Sequence, residues 1–233
     1  MLAACGPTPE QAIEEAAEAE ASNREVLVTA AFVSVQGGAA ALGFLPNRDS
    51  ASLGLIVSAP REGGLDLFDA DGVLRTRHAG ERLSGLATAP GFQLRGENLP
   101  LIFGASPSSN SVLGYAVVTD GIRVLDLPLA ATTPLDGVAG LCLYREGVGY
   151  VDLVILSTGA SAEIWRIRDA GQDVLNVEQR QSFALTAPAR QCATLDGDIY
   201  LASPAGGITR MGPDGVIAAE NSQSVTGLAV SDF

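Results

Sequence analysis

Few side chains in this sequence could do acid–base, nucleophilic or zinc chemistry. The 233 residues include one histidine, His78, and three cysteines, Cys5, Cys142 and Cys192. One histidine excludes most histidine-based catalysis, and this set is too small and too widely spaced for a Cys/His zinc cluster. The sequence therefore offers little to most classes of enzyme.

Three aspartates, Asp66, Asp69 and Asp71, are spaced like the first ligands of a calcium loop. No glutamate follows at the distance that such a loop requires. Because Asp71 precedes a glycine, the segment is more typical of a hairpin turn. We interpret it as a turn.

The N-terminus contains a short motif, Leu-Ala-Ala-Cys, that ends at Cys5 and is followed by Gly6. It resembles the lipobox of bacterial lipoproteins, although the basic start and apolar run of a signal peptide do not precede it. The resemblance implies a lipid anchor at Cys5 and a place in the bacterial cell envelope, in the periplasm or at the outer membrane. A chance alanine-rich start is the alternative.

Residues 1–25 are predicted to be this lipobox remnant and an acidic tether, because the Ala/Glu-rich part has no apolar face to bury. Residues 26–233 are predicted to form one folded domain. The net charge of −13 argues against nucleic acid and against direct contact with anionic membranes, apart from the lipid anchor.

The domain repeats a pattern of short strands. Gly63–Leu74 returns as Gly206–Ile217, each with a glycine entry, a strand, an Asp-Gly turn and a second strand. Four such turns carry a glycine, spaced 49, 50 and 44 residues apart, at Gly72, Gly121, Gly171 and Gly215.

Three classes of strand recur in this repeat. Nearly continuous apolar strands are predicted at Leu53–Ser58, Leu101–Ala105, Val151–Ser157 and Asp198–Ala202. Alternating strands are predicted at Leu65–Phe68, Val112–Val118, Glu163–Ile167 and Ile208–Met211. Strands rich in small residues are predicted at Ser84–Ala87, Ala139–Cys142, Arg190–Ala193 and Thr226–Ala229.

This pattern predicts an all-β chain with about four blades of a β-propeller plus a partial one. The strands rich in small residues would be innermost, where strands crowd around a central channel. Val26–Val35 is a candidate strand for sealing the ring. A β-sandwich is the alternative, but it predicts no such long-range repeat.

From about Gly37 to Phe233 the chain resembles the bacterial β-propeller phytases. The similar segments are the Gly-Gly-Leu-x-x-x-Asp-x-Asp-Gly segment at Gly63–Gly72, Gly-Leu-Cys-Leu-Tyr-Arg at Gly140–Arg145, Glu163–Arg166 and Val225–Ala229. The family has six blades and hydrolyses phytate with calcium ions held by acidic side chains at the channel mouth. The resemblance implies a shortened member that lacks its last blades.

The positions of the family's acidic ligands hold other residues here. They fall at 38–43, at Ala87 and at Ser203–Pro204, and a further glutamate position is Arg190. Alanine offers no oxygen to calcium. We therefore expect a non-catalytic, phytase-like lipoprotein that binds an unknown protein or small ligand without a cofactor. A calcium-dependent 3-phytase acting on inositol phosphates is the alternative.

Four further residues are candidates for a cross-link or a binding site. Cys142 and Cys192 lie on equivalent innermost strands and could form a disulfide, or could be two buried free thiols. The phytase resemblance places Arg61 near the family's channel-side lysine, and together with Arg190 it could give a weak anion site at one channel mouth, with solvated surface arginines as the alternative.

Overall fold

The computed structural model describes residues 37–47, 50, 53–130, 136–204, 207–212 and 214–221. These residues form sixteen strands in four antiparallel sheets of four strands each. We call the sheets blades 1 to 4 in chain order. Within this part of the chain, no helix is long and apolar enough to cross a membrane.

The strands of each blade follow one another along the chain. Blade 1 contains β1 (Ala39–Leu45), β2 (Leu55–Pro60), β3 (Leu65–Phe68) and β4 (Leu74–His78). Blade 2 contains β5 (Gly85–Leu94), β6 (Glu97–Ser106), β7 (Ser111–Val118) and β8 (Arg123–Leu127). Blade 3 contains β9 (Val138–Gly147), β10 (Tyr150–Ser157), β11 (Ser161–Asp169) and β12 (Leu175–Ala184). Blade 4 contains β13 (Gln191–Leu195), β14 (Asp198–Ser203), β15 (Gly207–Met211) and β16 (Ile217–Asn221).

Each blade is a meander whose first strand contacts the first strand of the next blade. Side-chain hydroxyls connect these first strands: Thr88 donates to the carbonyl of Phe44 at 2.7 Å, and Thr194 donates to the carbonyl of Leu143 at 2.8 Å. The first strands are therefore innermost, and the four blades are arranged as a β-propeller. The predicted fold class is confirmed.

Two glycines permit the close approach of the innermost strands. A Cβ on Gly140 would lie 2.5 Å from the carbonyl oxygen of Arg190, and one on Gly85 would lie 3.1 Å from the backbone nitrogen of Leu141. Real Cβ atoms do not approach backbone oxygens to 2.5 Å. The prediction that small residues mark crowded innermost strands is confirmed at these positions.

Every predicted strand within the described residues overlaps an observed strand, but β5, β6 and β9 extend well beyond their predicted ranges. The glycines of the four turns all have positive φ angles, between 76° and 81°. β2 begins at Leu55 rather than at the predicted Leu53, and β1 was not predicted as a strand. The candidate sealing strand Val26–Val35 and the partial blade at Thr226–Ala229 lie outside the described residues.

Three apolar cores fill the seams between successive blades. The seam of blades 1 and 2 is filled by residues such as Val57, Leu65 and Ile102, and that of blades 2 and 3 by residues such as Phe103 and Trp165. Trp165 is 1% exposed, as expected for a core residue. The seam of blades 3 and 4 is filled by Val154, Ile164, Ile199, Leu201 and Met211, among others. Among the described residues, no such core joins blade 4 to blade 1.

Candidate functional site

A cavity of about 640 Å³ lies where the innermost strands of the four blades begin. All four of these strands contribute to its wall, so the cavity is the mouth of the central channel. The lining residues are Ala39, Ala40, Ala41, Leu42, Ser84, Gly85, Leu86, Leu141, Arg190, Gln191 and Cys192.

Arg190 is the only charged residue among those that line this cavity. Its backbone N–H donates to the carbonyl of Ala202 at 2.9 Å, which fixes the start of β13 against β14. Its side chain is exposed and forms no ion pair with any carboxylate of the described residues. The guanidinium therefore has no carboxylate partner in the part of the chain that the structure describes.

Most of the remaining wall is apolar. Alanine and leucine side chains cover β1, and the Ser84 hydroxyl donates to the carbonyl of Ala139 at 2.7 Å. Because that hydroxyl already has an acceptor, it contributes more to the seam of blades 2 and 3 than to the cavity. The wall therefore combines one cation with small, uncharged surroundings.

Arg61, the second predicted anion-site residue, lies at the rim and outside the lining. Its backbone N–H donates to the carbonyl of Gly38 at 3.0 Å, and its Nε lies 3.8 Å from where a Cβ of Gly38 would be. The Glu62 carboxylate lies 3.3 Å from where a Cβ of the neighbouring Gly37 would be, so the rim also carries an acidic group. Anion binding by Arg61 and Arg190 stays a prediction.

Glu81, in the connection that leads into β5, is held by serine hydroxyls. Ser106 donates to its carboxylate at 2.5 Å and Ser108 at 3.2 Å. The pKa of Glu81 is lowered below its usual range, mainly by the hydrogen bond from Ser106 and then by those from Ser109 and Ser108. Its carboxylate is therefore already satisfied within the protein.

A disulfide joins the innermost strands of blades 3 and 4. The Sγ atoms of Cys142 and Cys192 are 2.06 Å apart, and the two Cα atoms are 5.6 Å apart. Of the two alternatives that the sequence left open, the structure has the bond. Neighbouring innermost strands are thus close enough for a cross-link, and Cys192 places it at the wall of the cavity.

The positions that the phytase resemblance predicts for calcium ligands fall partly on this wall. Of these positions, Ala39–Leu42 and Arg190 line the cavity and supply no carboxylate, and Ala87 and Ser203–Pro204 lie outside the lining. Within the described ranges, no group of three or more His, Cys, Asp or Glu residues is arranged to hold a metal ion.

The aspartates that resembled a metal loop form the predicted hairpin. The Asp69 carboxylate accepts hydrogen bonds from the backbone N–H groups of Asp71 and Val73, at 3.0 and 2.9 Å. Asp66 is buried and accepts two hydrogen bonds from Arg77, at 2.8 and 2.9 Å. The interpretation as a turn is confirmed.

His78 also has a structural place. Its Nε2 lies 2.9 Å from Asp126 Oδ1, which links blade 1 to blade 2, and its ring meets that of Tyr115 edge-on. Burial, together with the nearby carboxylates of Asp126 and Glu81, raises the pKa of Tyr115 to about 12. His78 and Tyr115 lie outside the lining of the channel mouth.

Sequence reasoning missed Ser84 and Gln191 as wall residues, although it aligned the strands that contain them. The available signal was that the first residues of all innermost strands lie at the same end of a propeller. Reading the residues at that end together would have found the apolar wall around Arg190.

No protein-family model and no curated protein matches this sequence. Among solved structures, the chain is similar to BBS1N in the crystal structure of its complex with ARL6DN, soaked with lead. The TM-score is 0.54 at 9% identity, over 89% of this chain and 60% of that chain. The computationally designed Ika4 protein has a TM-score of 0.45 at 15% identity, over 77% of this chain and 94% of Ika4.

The BBS1N likeness supports the β-propeller fold, and this chain spans 60% of the length of that relative. The phytase resemblance and the lipobox find no support in these comparisons and stay predictions.

Proposed function

We propose that the protein is a non-catalytic β-propeller that acts as a binding module, with the channel mouth as its ligand site. The observation that supports this is Arg190, an exposed residue on the wall of a cavity of about 640 Å³ whose guanidinium has no ion pair among the described residues. The surrounding wall is uncharged. A concave, partly apolar wall strengthens the interaction of such a cation with an anion.

The ligand class is a carboxylate or phosphate group, because a planar guanidinium pairs with both through two parallel hydrogen bonds. The group could belong to a small molecule or to an acidic segment of a partner protein. BBS1N, the similar propeller, was crystallised in complex with ARL6DN, which is in keeping with a protein partner.

Titration calorimetry of the full chain with inorganic phosphate and with succinate tests this proposal. A single charge-assisted site predicts a Kd of about 1 mM or below. Arg190→Gln should weaken binding at least about tenfold, which corresponds to about 1.4 kcal/mol. Arg123→Gln is the matched control, since Arg123 is an exposed arginine at the start of β8, away from the cavity.

Absence of binding to the unaltered protein, or equal binding by Arg190→Gln, would contradict the anion site. Succinate measures the small-molecule source, and an acidic peptide titrated in the same way measures the protein source. Release of phosphate from phytate in the presence of millimolar calcium would contradict the non-catalytic part of the proposal and favour the 3-phytase alternative.

We further propose that the module is lipid-anchored at Cys5 in the bacterial envelope. The lipobox-like residues 2–5 support this, and so does the disulfide between Cys142 and Cys192, because disulfides persist in oxidising compartments. Mass spectrometry of the N-terminal peptide of the protein from its own cells should show a diacylglyceryl group on Cys5. An unmodified Cys5 in a soluble fraction would contradict the anchor.

A further inference from the structure

Blade 1 exposes an apolar face whose counterparts on the other blades are covered. The hydroxyl hydrogen bonds from Thr88 to Phe44 and from Thr194 to Leu143 join equivalent positions of neighbouring innermost strands, so they give one aligned residue in each of the four strands. The residues two positions earlier in these strands are Leu42, Leu86, Leu141 and Cys192. This position faces the preceding blade.

The environment of this position differs sharply between blades. Leu86 packs against the core of the seam between blades 1 and 2, Leu141 is 4% exposed, and Cys192 is bonded to Cys142 of the preceding blade. Leu42 is 67% exposed, and Phe44 on the same side of β1 is 50% exposed. Blade 1 thus has the surface of a seam without a preceding blade on it.

Blade 4 has the complementary face. In blade 3, Arg166 donates two hydrogen bonds of 2.7 Å to Asp152 on the face that blade 4 covers. Blade 4 has a similar pair on its corresponding face: Arg210 Nε donates to Asp198 at 2.7 Å, although Arg210 lies opposite Tyr200 in the strand register. The exposed fraction of the arginine side chain is 18% in blade 3 and 49% in blade 4.

The apolar neighbours of the two pairs show the same difference. Val154 and Ala162 of blade 3 are buried, whereas Tyr200 and Ile208 in the corresponding places of blade 4 are only partly buried. Blade 4 therefore leaves open the face that in blade 3 receives the next blade.

We propose that a second copy of this chain covers both faces, with blade 4 of each copy packed on blade 1 of the other. In this protein, the face that a blade turns toward the next blade is always covered by the face of that next blade that carries Leu86, Leu141 or Cys192. Among the described residues, the corresponding face of blade 1, which carries Leu42, is the one that no blade covers. Because this contact forms twice in a dimer, both open faces of both copies are covered. The eight blades then close a ring with two-fold symmetry.

Light scattering during size-exclusion chromatography of the full chain tests the proposal. The expected mass is twice 23.9 kDa at high micromolar concentration. Leu42→Glu should raise the dissociation constant of the dimer at least about a hundredfold, because it places an unpaired carboxylate in both seams. Leu42 is exposed in the single chain, so the variant should keep its circular dichroism spectrum.

Val148→Glu is the matched control, since Val148 is 90% exposed in the turn between β9 and β10, away from both open faces. It should leave the mass unchanged. A single-chain mass for the unaltered protein at high micromolar concentration would overturn the proposal, and so would a dimer that Leu42→Glu does not weaken. A monomer whose thermal midpoint falls with Leu42→Glu would instead place another segment of the same chain on this face.

Discussion

At the scale of single residues, the contacts between blades depend on a few carboxylates. Asp169, at the end of β11, accepts a hydrogen bond from the backbone N–H of Arg95 in blade 2 and another from Gly171, both at 2.7 Å. The Arg95 N–H first, and then the Gly171 N–H, lower the pKa of Asp169 below its ordinary value of 3.8. Folding thus favours the charged carboxylate.

Asp169→Ala should therefore destabilise the protein in a pH-dependent way. Because the folded pKa is lower than the unfolded one, the stabilisation is fully present above 3.8 and is lost as the pH falls through the folded pKa. We expect a loss of about 1 kcal/mol at pH 7 from the missing hydrogen bonds, which shrinks in more acidic buffer. Urea unfolding of both proteins at pH 7 and in the acidic buffer measures this difference in the free energy of unfolding.

The control for this prediction is Asp120→Ala, which removes an exposed aspartate from the turn between β7 and β8. It should leave the free energy of unfolding unchanged within error. A cost for Asp169→Ala that stays constant as the pH falls well below 3.8 would argue that the carboxylate acts by packing and not by its charge.

At the scale of elements, the strands could be predicted where their local pattern is strong. β3, β7, β11 and β15 alternate and end at glycine turns, and all four were placed within two residues at each end. β1 was missed because Ala39–Leu45 has no β-branched residue and little contrast between its faces. Its strand character comes from pairing with β2, which a local pattern does not contain.

The candidate site was predictable only in part for the same reason. Arg190 is predicted, together with Arg61, to form a weak anion site at the channel mouth, and the structure places Arg190 on the cavity wall. Arg61 was assigned to the same mouth through the family resemblance, yet the structure leaves it at the rim. Local sequence pattern does not specify how far a turn reaches over a channel.

The innermost strands are sensitive to volume at their closest approach. Gly140→Ala would place a methyl group 2.5 Å from the carbonyl oxygen of Arg190, so β9 and β13 would have to separate. We expect a loss of about 2–3 kcal/mol in the free energy of unfolding, measured with urea.

Gly80→Ala is a suitable comparison, because its Cβ would meet nothing closer than 3.6 Å. That variant should cost well under the loss expected for Gly140→Ala. Equal costs for the two variants would show that the glycines act through backbone conformation and not through the distance between strands.

At the scale of the whole molecule, stability depends on the seams that connect successive blades. Each seam buries one apolar core, and the seam of blades 3 and 4 adds a covalent link between Cys142 and Cys192. The two cysteines are 50 residues apart, so the loop they close contains nearly all of blade 3. Unfolding blade 3 therefore cannot release it from blade 4.

The double variant Cys142→Ala/Cys192→Ala should lose about 2–4 kcal/mol in the free energy of unfolding, because the open chain gains conformational entropy when it unfolds. Urea unfolding of the unaltered protein with a phosphine reductant should show a loss of similar size, and the double variant should not respond to the reductant. Cys5→Ala should behave like the unaltered protein in both conditions. Two results would contradict this prediction: a reductant that leaves the urea midpoint of the unaltered protein unchanged, and alkylation of two cysteines besides Cys5 without prior reduction. Either result would mean that blades 3 and 4 are held together by their apolar core alone.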